Sequence, residues 1–462
     1  MDTLEKELPT TPNSAGMKPL RVGIAGLGVA SSQVLPAFRG NNSAYVLAGG
    51  ADVRAEAREQ FAKAFDRPTY DSVEAMARRD DVDAIWISTP NTLHAEHVVT
   101  AARHGKHVIC EKPMAVTLAE CDRMLRACEA NGVKYLQGHS KIYQPPMRKM
   151  QEIIRSGRLG RVIQIQSMNS NDWLQRPRLA PEVDTTKGGG LVYRQGPHIV
   201  DIVRFLGGGL VDTVSAATGR ADPYFDTEGH FSSLLKFANG AAATLTFNGY
   251  GWFDVTELTW DIGESGFTQT GKRRFPGNRP RLTGPANTEE KANVAHDRSD
   301  SRDVSERHQP FFGLTIVYCE KGAIRQAPDG ILVYTENGRE EVPCGGGKGR
   351  DAELQELSLA IAENRDVFPD GRWGKATLEV CLAMLESSKD GKVKTLKYQV
   401  PSPGFGDAAG KARKPLKKAA KAARGLRKIK ASGSRKAASS SKAGAKRKTA
   451  KKPTRVARRR RR

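Results

Sequence analysis

VGIAGLGVASS (residues 22–32) decides the fold. A short apolar run ends in Gly26-x-Gly28-x-x-Ser31, and a helical pattern around SSQVLPAF follows. A strand running through a glycine turn into a helix is the context of the dinucleotide-binding fingerprint. Gly26 allows the tight turn, and Gly28 lets the backbone approach a pyrophosphate at the following helix N-terminus. Ser31 stands where glycine or alanine is usual. Asp52 closes the second apolar run, YVLAGGAD (45–52), where an acid hydrogen-bonds the ribose hydroxyls of the adenosine. An acid there repels a 2′-phosphate, so Asp52 favours NAD, whereas nearby Arg54 leaves NADP open.

Working outward, the same alternation continues to residue 138. RAEAREQFAKAF reads as helix, VDAIWISTP (82–90) as strand, LHAEHVVTAARHG as helix and HVIC (107–110) as strand. TLAECDRMLRACEANG then reads as helix and VKYLQG (133–138) as strand. Repeated strand and helix imply a doubly wound parallel sheet, an α/β Rossmann domain, over 20–145. STPNTLH (88–94) and CEKPM (110–114) both follow strands, so they lie at the carboxyl edge where such sheets bind ligands. Thr89, Pro90, Asn91, His94 and Glu111 are accordingly read as cofactor-binding, and Lys112 as a donor to a substrate hydroxyl or a proton carrier.

From about residue 160 the pattern changes to strands joined by tight turns, with FANG and YTENG as hairpin signals. Helical patterns are limited there to about 196–206, 351–363 and 374–388. This predicts an α+β open-sheet domain over 146–400 on an antiparallel or mixed sheet, for substrate binding and oligomerisation. Residues 268–309 are polar and unpatterned and read as a long mobile loop. Residues 1–19 read as a disordered leader.

In YRQGPHIVDIVRFLG, Pro197 suits a first helical turn and places His198 at the helix N-terminus. The positive end of the helix dipole keeps an imidazole neutral and able to accept a proton. Asp201, three residues on, is expected to orient the ring or reach the substrate.

The glycine start, TPNTLH, EKP and the distal segment ending in a histidine together resemble the Gfo/Idh/MocA oxidoreductase family over about residues 20–400. The resemblance implies hydride transfer between a nicotinamide and a carbinol, by dimers or tetramers. It places the family's EKP lysine on Lys112. Its distal D-x-G-x-H motif falls on Arg194 to His198, with the histidine present and the aspartate replaced by Arg194. A narrower resemblance, to phthalate 4,5-cis-dihydrodiol dehydrogenases, rests on RPRLAPEVDTTKGGGLVYRQGPHIVDIVRFLGG, GHS (138–140), FNGYGWFD (247–254) and DGRWGKATLEVCLAMLESS (370–388). It implies oxidation of a cis-dihydrodiol to a catechol with NAD(P), and makes YRQG-x-H the normal form. A sugar or inositol-type dehydrogenase is the alternative within the family. Either Lys112 or His198 serves as the base. Arg194 cannot, but an arginine can grip a substrate carboxylate through two bonds, with Arg176 and Arg178 beside it. The competing reading pairs Arg194 with an internal acid such as Asp172 or Glu182.

The net charge of +23 belongs to the end of the chain. Residues 411–462 hold 24 Lys and Arg and no acid, which leaves 50 basic against 51 acidic residues in 1–410. Such a tail (401–462 with its Pro/Gly linker) cannot bury a core and is expected to be disordered. It attracts nucleic acid or other polyanions through phosphate neutralisation without reading sequence. A solubilising extension is the plainer alternative, and a nucleic-acid-tethered protein with a non-catalytic NAD-binding body is a reading of another class. No run nears eighteen apolar residues and the first seventeen are polar and acidic, so no membrane span or secretory signal is expected and a cytoplasmic location is. Six cysteines without C-x-x-C spacing predict free thiols and no metal site.

Overall fold

The computed structural model describes residues 18–40, 42–268, 282–287, 307–346 and 349–405. The expected leader, most of the expected loop at 268–309 and the basic tail lie outside the described residues. Six strands make the first sheet: β1 (Leu20–Ala25), β2 (Tyr45–Ala51), β3 (Thr69–Tyr70), β4 (Ala84–Ile87), β5 (His107–Glu111) and β6 (Tyr135–Gly138). Their order is β3-β2-β1-β4-β5-β6, and every pairing is parallel. The order reverses between β1 and β4, so the crevice beyond their carboxyl ends is the ligand position of this fold. Both faces are covered, which is why β1 and β4 are almost wholly apolar.

Helices α1 (Ala55–Phe65), α2 (Val73–Ala77), α3 (His94–Arg103) and α4 (Leu118–Ala130) cover this sheet. Helix α4 starts in a capping box, in which Thr117 Oγ1 accepts from Glu120 N and Glu120 Oε2 accepts from Thr117 N. Such a cap contributes about 1 kcal/mol. The helix expected after β1 is not an α-helix. Residues Ser31–Gln33 and Leu35–Arg39 form two 3-10 turns. Ser31 and Ser32 return their hydroxyls to the carbonyls of Gly28 and Val29, and Pro36 withholds an N–H, so a longer ladder is not built.

Helix α5 (Pro145–Arg155) leads into the second sheet: β7 (Val162–Ser170), β8 (Val211–Gly219), β9 (His230–Phe237), β10 (Ala242–Asn248), β11 (Leu314–Cys319), β12 (Gly322–Ala327), β13 (Gly330–Thr335), β14 (Gly338–Pro343) and β15 (Lys394–Thr395). The order is β14-β13-β12-β11-β7-β10-β9-β8-β15. Only β7 with β10 is parallel, so the sheet is mixed. Strands β9 and β10 alternate buried and exposed residues and turn Phe231, Leu235, Leu245 and Phe247 into one core. Helices α6 (Gly190–Arg194), α7 (Gly196–Gly207), α8 (Gly349–Ala362) and α9 (Gly371–Asp390) complete the described chain. Leu354, Leu357 and Ala360 of α8 pack into the core of the first sheet with Leu20, Val22 and Trp86. The chain thus returns to the Rossmann sheet after building the second one.

Candidate active site

At the end of β1, Gly26 has φ +87°, and a Cβ there would lie 2.8 Å from the Ser88 carbonyl. Both facts demand glycine. A Cβ at Gly28 would meet nothing within 4 Å, so the backbone face at Gly28 is open. Asp52 closes this turn by accepting from Leu27 N at 2.8 Å. Burial pushes its carboxyl pKa up, but the Arg54 guanidinium and the Arg54 and Leu27 amides outweigh it and hold the group below its ordinary value. Arg54 binds both Asp52 oxygens, at 3.0 Å each. An open glycine turn beside an ionised acid at the tip of β2 fits an adenine dinucleotide, with Gly28 under the pyrophosphate and Asp52 and Arg54 at the ribose. Ser31 is buried and braces the turn through its bond to Gly28 O at 2.8 Å.

Several residues expected at the cofactor have partners within the protein. His94 is 1% exposed, and its ring nitrogens lie 2.9 Å from the Pro113 and Thr89 carbonyls. It joins the β4 and β5 loops and has no surface to offer a cofactor. Asn91 donates to Gly188 O at 2.8 Å and accepts from Arg194 at 3.2 Å, so it ties the Rossmann edge to the segment before α7. Thr89 Oγ1 lies 2.9 Å from His97 Nδ1. Pro90 precedes a short 3-10 turn at Asn91–Leu93. Glu111 is 6% exposed and paired with Arg350 at 2.7 Å.

Lys112 follows β5, and its Nζ donates to the backbone carbonyl of Arg194 at 2.9 Å. Burial, followed by the Arg194 cation, pulls its pKa from 10.5 down to about 7 against the opposing pull of Glu111. His198 lies near the start of α7, as its sequence predicts, and is buried. Burial, then the Lys112 and Lys141 cations, hold its imidazole well below its ordinary pKa, so it is neutral. Its Nδ1 has no hydrogen-bond partner among the described residues, and its ring lies 4.9 Å from that of Phe312.

Asp201 does not orient His198, and it has no exposed surface for a substrate. It accepts from Trp373 Nε1 at 2.5 Å and lies 3.7 Å from Nδ1 of buried His139. Although residues three apart share a helical face, these contacts hold the Asp201 carboxylate against α9 and the residue after β6. The arginines are also committed. Arg194 pairs with Glu182 at 2.8 Å, one of the two internal acids named above. Arg176 bonds Asp172 at 2.6 Å, and Arg178 lies over the Trp173 ring at 4.7 Å. Each of the three arginines expected at a substrate carboxylate thus has a partner within the protein.

Sequence reasoning missed Lys141, Glu264 and Arg350. Lys141 follows β6 at the carboxyl edge, the position that singled out Lys112, so that signal was available. Glu264 and Arg350 carry no local signal and reach the site only through the folded chain. Among the described residues no group of three or more His, Cys, Asp or Glu is placed to hold a metal, and no helix is long and apolar enough to cross a membrane.

An open glycine turn at the switch point, with a lysine and a neutral histidine in electrostatic reach of each other, fits an NAD(P)-dependent oxidoreductase. Residues 20–139 match an oxidoreductase family with an NAD-binding Rossmann fold, and residues 147–262 match the GFO/IDH/MocA C-terminal domain. The 1-carboxy-3-chloro-3,4-dihydroxycyclohexa-1,5-diene dehydrogenase of Comamonas testosteroni is 37% identical over 383 residues, 80% of this chain and 95% of that protein. D-xylose 1-dehydrogenase (NADP(+)) 2 of Haloferax volcanii is 32% identical over 243 residues, 52% of this chain and 70% of that one. A crystal structure described as a dehydrogenase from Bordetella bronchiseptica RB50 has a TM-score of 0.75 at 36% identity, covering 82% of this chain and 100% of its own. The chain belongs to the Gfo/Idh/MocA oxidoreductase family and is an NAD(P)-dependent dehydrogenase.

Proposed function

We propose that this enzyme oxidises a carboxylated cis-dihydrodiol to the corresponding catechol, with Lys112 as the base. The observation that carries the assignment of the base is the lowered Lys112 ammonium set against the neutral His198. Lowering a lysine pKa from 10.5 to about 7 raises its neutral fraction at pH 7 from about 3 in 10,000 to about half. A neutral amine takes the hydroxyl proton as the carbinol carbon gives up its hydride. His198, with a pKa far below neutrality, stays neutral and holds the substrate oxygen by a hydrogen bond. The backbone carbonyl of Arg194 fixes the Lys112 Nζ, and Glu182 and Asn91 fix Arg194 in turn. The nicotinamide, when bound, accepts the hydride. For a dihydrodiol the hydroxy-ketone product loses a ring C–H proton and gains one on oxygen, and the gain of aromaticity makes oxidation strongly downhill.

The carboxylated dihydrodiol is supported by the Comamonas testosteroni relative, which shares 37% identity over 95% of its length. Asp52 favours NAD. The test is a substrate panel followed by NADH and NADPH absorbance: carboxylated cis-dihydrodiols, their uncarboxylated parents, inositols and aldoses. Preferential turnover of the carboxylated diols with NAD supports the reading, and preference for an aldose or inositol overturns it.

A further inference from the structure

Lys141 lies on the 3-10 turn Ser140–Tyr143 that follows β6, at the same sheet edge as Lys112. Its side chain is 11% exposed. Its Nζ is 5.0 Å from the centre of the Phe312 ring, and the His198 ring packs on the same phenyl group at 4.9 Å. Lys141 and Lys112 both act electrostatically on His198, and Lys141 and His198 share the Phe312 ring. A buried ammonium needs an anion, because removing a partner from a buried charge is strongly destabilising.

The cations around this cleft differ in how firmly their anions are held. Arg350 pairs with Glu111 at 2.7 Å, with both side chains at most 15% exposed. Arg194 pairs with Glu182 at 2.8 Å, and Glu182 is 10% exposed. Arg176 takes Asp172 at 2.6 Å, one helical turn away. Lys141 differs from these. Its acidic partner is Glu264, at the longer distance of 3.3 Å and with a side chain 42% exposed. A half-solvated carboxylate on a long contact is the one most cheaply exchanged for another carboxylate.

We infer that Lys141 anchors the carboxylate of the substrate, and that Glu264 holds its place on the ammonium until the substrate arrives. Exchange of one carboxylate for another keeps the ammonium paired throughout. It also sets the substrate ring beside Phe312 and His198, so the diol end reaches Lys112. This rests on the reading that the substrate is a carboxylated ring diol, and it moves recognition of that group from Arg194 to a residue on the Rossmann edge.

The probes are benzoate and its neutral counterpart benzamide, titrated calorimetrically into the full-length enzyme saturated with NAD. Wild type is expected to prefer benzoate. Lys141→Met lowers the benzoate-to-benzamide affinity ratio at least tenfold. Glu264→Gln, a change at a half-exposed site that spares the fold, raises that ratio by removing the competing carboxylate. The inference is overturned if wild type shows no preference for benzoate, if Lys141→Met keeps the ratio, or if Glu264→Gln lowers it. The kcat/KM ratio of a carboxylated cis-dihydrodiol to its parent follows the same order in the three proteins. If the wild type turns over neither diol yet the benzoate pattern holds, the dihydrodiol assignment falls and the carboxylate anchor stands.

Discussion

Replacing Lys112 separates a base from a mere cation. The amine of Lys112 is desolvated and faces Arg194, Arg350, Glu111 and Glu264. Burial and the two guanidiniums lower its pKa, and the two carboxylates raise it, with a net value of about 7. If the neutral amine takes the hydroxyl proton, kcat/KM rises with pH through about 7 and flattens above it. Lys112→Met removes the acceptor and lowers kcat/KM by about 10²- to 10⁴-fold, the usual contribution of general-base catalysis. It also removes the inflection near neutrality. Lys112→Arg keeps a cation at the same sheet edge, but a guanidinium does not deprotonate, so its loss is as large. Glu111→Gln takes away a charge that raises the Lys112 pKa, which moves the inflection to lower pH. The assay is initial-rate NADH formation from pH 5.5 to 9 in buffers of constant ionic strength. Retention of activity within tenfold by Lys112→Arg, or an unchanged inflection in Lys112→Met, refutes Lys112 as the base and leaves the proton to another group.

Three further outcomes follow from the same geometry. Gly26→Ala forces a side chain into φ +87° and onto the Ser88 carbonyl, so it costs about 1–3 kcal/mol of stability and abolishes NADH binding, read by thermal melts and fluorescence titration. Arg194→Ala takes the guanidinium from Glu182, which is 10% exposed, and is expected to cost about 1–3 kcal/mol in denaturant titrations. Its kcat/KM losses on carboxylated and uncarboxylated diols are equal, and a loss confined to the carboxylated one would restore the arginine clamp. Full-length protein retards duplex DNA in a gel in a salt-dependent way and a chain ending at residue 410 does not, because the 24 basic residues without an acid lie beyond that point. Equal retardation by both chains rules out the tail as the polyanion-binding element.

The parallel sheet was legible because a strand buried on both faces is nearly all apolar, as in AIWI of β4, and because glycine after β1 has few uses other than a tight turn. The helix after that turn was misread, since a propensity pattern does not show that two serines will return their hydroxyls to the backbone. Strand β8 escaped because its sequence VDTVSAATG buries only Val211 and Val214 fully and shows no clean alternation. The placing of Lys112 at a strand end and of His198 at a helix start was legible in the sequence, while reading either as a site residue drew on the family resemblance. The setting of Asp201 was not legible, because its partners Trp373 and His139 are brought to it only by the folded chain. The partner of Arg194 was one of two acids nameable from the sequence, and only the folded loop chooses Glu182.

Arg194 shows how a residue can matter to the chemistry without touching the substrate. Its guanidinium is held by Glu182 and Asn91, and that anchorage fixes the backbone of the turn before α7. The carbonyl of that turn receives the Lys112 ammonium, and four residues on, the same turn delivers His198. The guanidinium also lowers the Lys112 pKa, second only to burial. An aspartate at this position would act on Lys112 in the opposite sense and hold it protonated. An arginine at position 194 therefore favours a lysine that is already a base at neutral pH. On this argument Arg194→Asp raises the pH at which Lys112 becomes active, whereas Arg194→Lys keeps it near neutrality. A pH profile of the two variants that fails to separate in that direction would show that the charge at 194 does not govern the base.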